Sequence, residues 1–252
     1  MLRVSALSIC LLVGNSSFAA GENTASPPLC GIPLRPSANG LLQDVERRFG
    51  KPVHCRIVTN LAQAEGGRAS EELEADGTPL IKLDSMLGRS ETEVVHELFH
   101  LQLRARGFPQ DFATNIPPGL DVKILKMAVL NISGMLEHRL FYPSMRKIGL
   151  EPTKAYREEL ESHIAQDQPP PYASHPELLA IDYAVVVLVI NDPSLRQKVG
   201  TWYERHGWQD ALNRGKRLVS YVLQENPNTP DKKRVALAGC LETVFGDKFE
   251  IQ

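Results

Sequence analysis

The stretch from Ser90 to Gly107 reads SETEVVHELFHLQLRARG, and it predicts the helix around which the rest of the chain is organised. Ser90 and Glu93 have the spacing of a capping box, in which each residue bonds the other's backbone N–H group. Arg104 lies in the last turn, where a positive charge is favourable. Apolar residues recur at helical spacing over 94–103 and would form a buried stripe. These signals predict an amphipathic helix that ends before Gly107.

The same stretch carries two histidines four residues apart, His96 and His100, with Glu97 directly after the first. On a helix this spacing places both imidazoles on one face, one turn apart, where they can bind one metal ion. Glu97 is turned by about 100° from His96, so it can reach a water molecule beside the ion. Zinc lowers the pKa of such a water to about 7, and a neighbouring carboxylate can take its proton. The pattern predicts metal-assisted hydrolysis.

This stretch resembles the active-site helix of the zincins, the HExxH superfamily of zinc metallopeptidases. The resemblance implies one Zn²⁺ ion bound by His96 and His100, with Glu97 as the general base. It also implies a peptide or protein substrate. The alternative is a helix with partly buried, hydrogen-bonded histidines, on which Glu97 is only a solvated surface charge.

A strand directly before the helix is part of the same resemblance. The segment Pro79 to Asp84, PLIKLD, is typical of a strand, with Lys82 pointing outward between apolar neighbours. In zincins a sheet edge lies beside the cleft and can pair with an extended substrate. The alternative is a sheet that only packs on the helix.

A catalytic zinc normally has three protein ligands, so a third residue has to join the two histidines. The metzincin branch would need glycine and histidine where this chain has Leu103 and Arg106. The gluzincin branch takes a glutamate from a later helix, and Glu137 lies in a predicted apolar helix from Leu120 to Leu140. A carboxylate within an apolar stripe is unfavourable unless it is paired or metal-bound. Glu137 is therefore the predicted third ligand.

Other roles stay open around this residue. Glu137 could instead form an ion pair, for example with Arg139. His138 is the competing third ligand, or a group that contacts the substrate or its oxyanion. Tyr142 is a weaker candidate for an oxyanion donor.

The gluzincin resemblance also implies an aspartate that orients a metal-bound histidine. The corresponding position holds Phe141 here, so that carboxylate would have to come from elsewhere. Asp121 and Asp182 are the candidates.

Residues 1–20 are predicted to be a secretory signal. Arg3 precedes an apolar run from Val4 to Val13, and small residues allow cleavage after Ala19 or Ala20. The run is too short to span a bilayer. The mature chain is expected to be secreted or periplasmic, without a transmembrane segment.

Three cysteines remain after such a cleavage: Cys30, Cys55 and Cys240. An exported protein commonly forms disulfides, and an odd number leaves one thiol over. A disulfide between Cys30 and Cys55, or one involving Cys240, is compatible with the sequence.

The chain has 252 residues, of which 42% are hydrophobic, and this is enough for one good-sized domain after the signal. The formal net charge is -2 and the basic residues are scattered, so nucleic acid is not an expected partner. We predict an extended arm over 21–38 and one zincin-like domain over 39–252. Its site-bearing half would cover 39–149, and its helical half 150–252.

The predicted fold is a mostly helical α+β fold, with a small sheet beside the active-site helix and a C-terminal helical layer. A further strand is expected over Val53–Thr59, and loops over 64–77 and 107–119. The first helix is expected over Asn39–Phe49, and Tyr142 and Pro143 are expected to end the long apolar helix. The later helices are predicted over Thr153–Gln168, from Pro176 with Ser174 as the cap, Pro193–His206, Trp208–Gln224 and Pro230–Phe249.

The expected function is that of a zinc metallopeptidase that cleaves peptide bonds with metal-activated water. One alternative is a zinc hydrolase of a non-peptide amide or ester. Another is an exported helical binding protein whose metal site is non-catalytic or absent. The enzyme hypothesis alone predicts that Glu97→Gln abolishes function while zinc stays bound.

Overall fold

The structure, a computed structural model, describes residues 2–5, 28–61, 68–86, 90–109 and 111–251. Helices predominate in these ranges and one small sheet has three strands, so the prediction of a mostly helical α+β fold is confirmed. The chain divides into two compact units. The motif unit contains Cys10–Gly107 and Ser144–Pro152, and the helical unit contains Met1–Ile9, Phe108–Pro143 and Thr153–Gln252. The predicted single domain over 39–252 stays a prediction.

The elements are numbered in chain order. The strands are β1 (Leu2–Ser5), β2 (His54–Val58), β3 (Ala69–Leu73), β4 (Pro79–Asp84) and β5 (Asp111–Thr114). The helices are α1 (Pro36–Phe49), α2 (Glu91–Arg104), α3 (Val122–Lys147), α4 (Lys154–Ala165), α5 (Pro176–Val185), α6 (Pro193–Arg205), α7 (Gln209–Glu225) and α8 (Pro230–Phe245), with a π-helical turn over Val186–Ile190 after α5. Among these helices, not one is both long enough and apolar enough to cross a bilayer.

The sheet of the motif unit has the order β2-β4-β3, with β2 parallel and β3 antiparallel to β4. The two predicted strands are confirmed, and the central position of β4 explains why all its residues except Lys82 are buried. Because β4 has a strand on each side, this strand itself offers no open edge with which a substrate could pair. The predicted loop over 64–77 is also wrong at β3, since an edge strand can be largely polar and show no apolar alternation.

Helix α1 begins at Pro36, three residues before the predicted start, so the end of the predicted arm over 21–38 is helical. Gly50 ends it in the left-handed conformation, at φ 66°. A disulfide joins Cys30, ahead of this helix, to Cys55 in β2. Cys240 is a buried free thiol. Of the pairings compatible with the sequence, the structure contains the one between Cys30 and Cys55.

The helical unit contains the antiparallel pair of β1 and β5, and Thr114 of β5 also bridges to Ile251. The predicted loop over 107–119 is therefore wrong at β5. The predicted signal over residues 1–20 includes β1, but residues 6–20 lie outside the described ranges, and the signal stays a prediction.

Helix α3 continues through Pro143 to Lys147, so its predicted end at Tyr142 and Pro143 is wrong. A proline inside a helix removes one backbone hydrogen bond and can kink the helix without ending it. The segment directly after Pro143, Ser144–Pro152, belongs to the motif unit.

The helices predicted after residue 150 are confirmed, with ends that differ by a few residues. His175 rather than Ser174 occupies the cap position of α5, ahead of Pro176 in the first turn. A buried cluster that includes Trp202 and Tyr203 lies at the centre of this layer.

Candidate metal centre

The start of α2 is set by the capping box that the sequence predicts. The side-chain oxygen of Ser90 accepts a hydrogen bond from the backbone N–H of Glu93 at 3.4 Å. The Glu93 carboxylate accepts one from the backbone N–H of Ser90 at 2.8 Å. Two N–H groups that the helix itself cannot satisfy are thereby bonded.

The buried face of α2 includes two of the three polar residues of the motif. Glu97 is 7% exposed and His100 is 8% exposed. The interpretation of Glu97 as a solvated surface charge is therefore wrong. The residues buried on this face are Val94, Val95, Glu97, Leu98, His100, Leu101 and Leu103.

The structure brings the two motif histidines together. The Nε2 atoms of His96 and His100 lie 2.7 Å apart, and the ring centroids are separated by 4.5 Å. Two nitrogens bound to one tetrahedral zinc would lie about 3.3 Å apart. A small increase in the distance between the two Nε2 atoms would therefore make room for an ion.

The electrostatic environment of His96 favours a neutral ring. Burial lowers the pKa of His96 well below its usual value, and the neighbouring His100 lowers it further. A neutral imidazole is the form that binds metal. At neutral pH His96 is thus ready to act as a ligand without first losing a proton.

The first turn of α2 is fixed by Arg35. Its backbone N–H and its Nε donate to the Glu91 carboxylate at 2.6 and 2.9 Å. Its Nη1 donates to the carbonyl oxygen of Ile148. The next residue, Gly149, has φ 79°, and a Cβ atom there would lie 3.0 Å from Arg35 Nη1. One arginine therefore ties the start of α2 to the segment after α3.

The last turns of α2 have their own anchors. The amide of Gln102 donates to Asp44 of α1 at 2.8 Å, and Arg104 lies 3.4 Å from Glu71 of β3. The side chains of Glu71 and Arg104 are 4% and 19% exposed, which makes this pair less exposed to screening by water. The histidine pair therefore stands on a helix that is held at both ends.

Glu137, the predicted third ligand, lies in the helical unit and forms an ion pair there. Its Oε1 accepts from the ammonium group of Lys233 and, at 3.1 Å, from the hydroxyl of Ser133. The two charged side chains are 0% and 1% exposed. Of the roles left open for Glu137, the ion pair is the one that the structure contains, and its partner is Lys233 rather than Arg139.

Lys233 is the residue that sequence reasoning missed. Its ammonium nitrogen also lies 4.9 Å from the ring centroid of Phe112, within the range of a cation–π contact. Burial lowers the pKa of Lys233 to about 8, against the opposing effect of Glu137. A signal was present, because Lys233 occupies the stripe of α8 that otherwise buries Ala236, Leu237, Cys240, Leu241 and Val244.

His138, the competing ligand, is packed between aromatic side chains of its own helix. Its ring stacks on Tyr142 at 4.6 Å between centroids and 11° between planes. Phe141 meets the same ring edge-on at 5.5 Å. The imidazole of His138 is thus held in a defined plane on α3.

The two carboxylates considered for orienting a histidine have other partners. Asp182 accepts hydrogen bonds from the hydroxyl groups of Tyr156, at 3.0 Å, and Tyr172. Asp121 accepts from the backbone N–H of Lys123 at 2.7 Å, at the start of α3. Their contacts are those of a packing cluster and a helix cap.

Comparison with known proteins adds no family: no family model, curated protein or solved structure matches this chain.

Proposed function

We propose that the protein is a zinc-dependent hydrolase, most simply a metallopeptidase. The observation that carries this proposal is the convergence of His96 and His100 Nε2 atoms, 2.7 Å apart, on the turn that also holds the buried Glu97. Neutral imidazoles suit zinc, and two of them at this spacing supply half of a tetrahedral site.

The third ligand that we propose is His138 rather than Glu137. The Lys233 ammonium group already neutralises Glu137, and a zinc ion at the same carboxylate would be repelled by that charge. The buried ion pair also accounts for a carboxylate in an apolar stripe, so the argument for metal ligation no longer applies. His138, the competing ligand in the sequence, would complete a three-histidine donor set with His96 and His100 and leave one position open for substrate.

A zinc ion held there would polarise a carbonyl group and lower the pKa of a water molecule to about 7. Glu97 then has the role of general base: it takes the proton of the attacking water and returns it to the leaving amine. The burial of Glu97 supports this role, since a carboxylate shielded from bulk water takes its proton from a water molecule in the site rather than from the solvent. General acid–base catalysis of this kind contributes about 10²- to 10⁴-fold to the rate.

We also propose that the protein acts outside the cytoplasm, secreted or periplasmic, on a peptide or protein substrate. The signal-like segment over residues 1–20 supports export. The disulfide between Cys30 and Cys55 supports it independently, because disulfides persist mainly in oxidising compartments.

Zinc content measured by elemental analysis tests the metal centre. We expect about one zinc per chain in the unaltered protein, loss in His96→Ala, and marked weakening in His138→Ala. Glu137→Gln should keep its zinc, as should the control His54→Ala, whose side chain is 53% exposed. Zinc lost in Glu137→Gln and kept in His138→Ala would reverse the assignment of the third ligand. An unaltered chain that takes up no zinc after reconstitution would overturn the proposed function.

Hydrolysis by Glu97→Gln tests the chemistry. With zinc bound, this variant should cleave an unstructured protein such as casein about 10²- to 10⁴-fold more slowly than the unaltered chain. Activity of the zinc-loaded protein on nitrophenyl esters but not on casein would favour the non-peptide hydrolase. Full zinc occupancy with no activity on either substrate would favour a binding protein.

A further inference from the structure

The stacked pair of His138 and Tyr142 has a geometry that can orient a ligand. The two residues are four apart on α3, so their side chains share one face of the helix. Their rings are nearly parallel, 11° between planes, at a centroid distance of 4.6 Å. Stacking of this kind restricts rotation of the smaller ring, because any other plane would break the contact.

Such a restriction matters for a histidine ligand. The torsion that turns an imidazole about its Cβ–Cγ bond has broad minima, so the side chain alone does not fix the ring plane. A metal ion has to lie close to that plane, along the lone pair of a ring nitrogen. A ring that is already held in one plane loses less freedom when the ion binds.

The stacking partner is itself held firmly. Tyr142 is 6% exposed, and Phe141 is 2% exposed. Phe141 meets Tyr142 edge-on at 5.2 Å and His138 edge-on at 5.5 Å. The three rings form one packed group in which the imidazole is the least buried member.

We propose that Tyr142 is a positioning residue of the metal centre, whose ring sets the plane of the His138 imidazole. This inference rests on the proposed function, with His138 as a ligand. It assigns to the Tyr142 ring, rather than to its hydroxyl group, the role that matters for zinc.

The zinc dissociation constant of the full chain, measured by competition with a chromophoric chelator, tests the proposal. An aromatic pair is worth enough to change affinity by about two- to tenfold, so we expect a weakening of that size in Tyr142→Leu. Tyr142→Phe keeps the ring and should bind as the unaltered chain does. Tyr183→Leu is the matched control, since it removes another tyrosine of the helical unit that is 7% exposed.

Substitution of cobalt for zinc gives a spectroscopic signal that a general loss of packing would not change. The visible absorption of bound Co²⁺ reports ligand geometry, so it should change in Tyr142→Leu and stay unaltered in Tyr142→Phe and Tyr183→Leu. If Tyr142→Leu does not fold, as judged by circular dichroism, Phe141→Leu takes its place, since it removes the edge-on contact to the same ring.

The outcomes separate this inference from the proposed function. Zinc binding that depends on His138 but is equally tight in Tyr142→Leu, with an unchanged cobalt spectrum, overturns the positioning role alone. Equal weakening in Tyr142→Phe and Tyr142→Leu also overturns it, because the hydroxyl group would then be responsible. A chain that binds no zinc, or binds it equally well in His138→Ala, overturns the ligand assignment and the positioning role together.

Discussion

At the scale of single residues, the buried ion pair of Glu137 and Lys233 has the largest expected effect on stability. Lys233→Met would leave the Glu137 carboxylate buried with its cation gone, and breaking such a pair from one side costs about 3–5 kcal/mol. The free energy of unfolding, measured with urea, should fall by that amount. Lys232→Met changes the exposed neighbouring lysine and should have little effect.

A double variant distinguishes the pair from mere packing. Lys233→Met combined with Glu137→Leu removes both charges and keeps most of the volume, so most of the lost stability should return. If the double variant is as unstable as the single one, the shape of the lysine side chain matters and its charge does not.

The sequence showed each member of this pair but not the pairing. Glu137 and Lys233 are each the lone charged residue in an apolar stripe. A lone buried carboxylate is as compatible with a bound metal ion as with a basic side chain. The two residues are 96 positions apart in the sequence. The periodicity of a helix predicts which of its faces is buried, but it does not predict which other helix packs against that face. For His96, Glu97 and His100 the opposite holds, since their relation is set by the turn of one helix.

At the scale of elements, the stability of α2 depends on its cap. Ser90→Ala removes the oxygen that accepts from the backbone N–H of Glu93, and loss of such a cap typically costs about 1 kcal/mol. Urea unfolding should show this decrease, while Ser90→Asp, which can accept the same bond, should unfold like the unaltered protein. An unchanged free energy in Ser90→Ala would mean that the anchors of Arg35 alone hold the first turn.

A pH effect is expected where α4 and the residues before α5 meet Asp182. Burial raises the pKa of Asp182 from 3.8 to about 6, although the hydroxyl groups of Tyr172 and Tyr156 oppose this shift and Glu159 adds to it. Because the pKa is higher in the folded state, the folded state holds the proton more tightly. The resulting stabilisation is fully present below about pH 3.8 and is lost as the pH rises through about 6.

Comparison with Asp182→Asn isolates this effect from all other titrating groups. Between pH 4.5 and pH 7 the unaltered protein should lose about 2 kcal/mol of unfolding free energy relative to the variant. Urea unfolding at the two pH values measures the difference. A constant difference between the two proteins would show that Asp182 keeps an ordinary pKa.

The elements that the sequence missed share a physical reason. Strand β3 is polar because it lies at a sheet edge, and β5 is only four residues long, so neither shows the alternation of a half-buried strand. Helix α3 passes through Pro143, where local rules predict an end but packing of the flanking turns can sustain the helix. Strong local signals, such as the capping box of α2 and the proline-led starts of α5, α6 and α8, were read correctly.

At the scale of the whole molecule, the disulfide should contribute to stability. The bond between Cys30 and Cys55 closes a loop with a sequence separation of 25, for which chain entropy predicts about 3 kcal/mol. A reducing agent should lower the urea midpoint of the unaltered chain and of Cys240→Ala. It should have no effect on a Cys30→Ser/Cys55→Ser variant, and an equal shift in that variant would exclude the disulfide as the cause.

The fold class was predictable because helical periodicity dominates the chain and only short segments read as strands. The division into two units was not predictable. The chain leaves the motif unit after Gly107 and returns to it over Ser144–Pro152. That return depends on long-range contacts, such as the bond from Arg35 to Ile148, which leave no periodic trace in the sequence.

The hydrogen bonds of Arg35 have a consequence for how this chain tolerates mutation. Gly149 lies far from the motif in sequence, yet any side chain there would combine an unfavourable backbone conformation with pressure on the guanidinium group. Displacement of that group would break its hydrogen bond to Glu91, so that only the Arg35 backbone N–H would still hold the first turn of α2, five residues before His96. A mutational scan should therefore find Gly149 less tolerant of substitution than Gly200, where an added Cβ has nothing within 4 Å and the backbone is not left-handed.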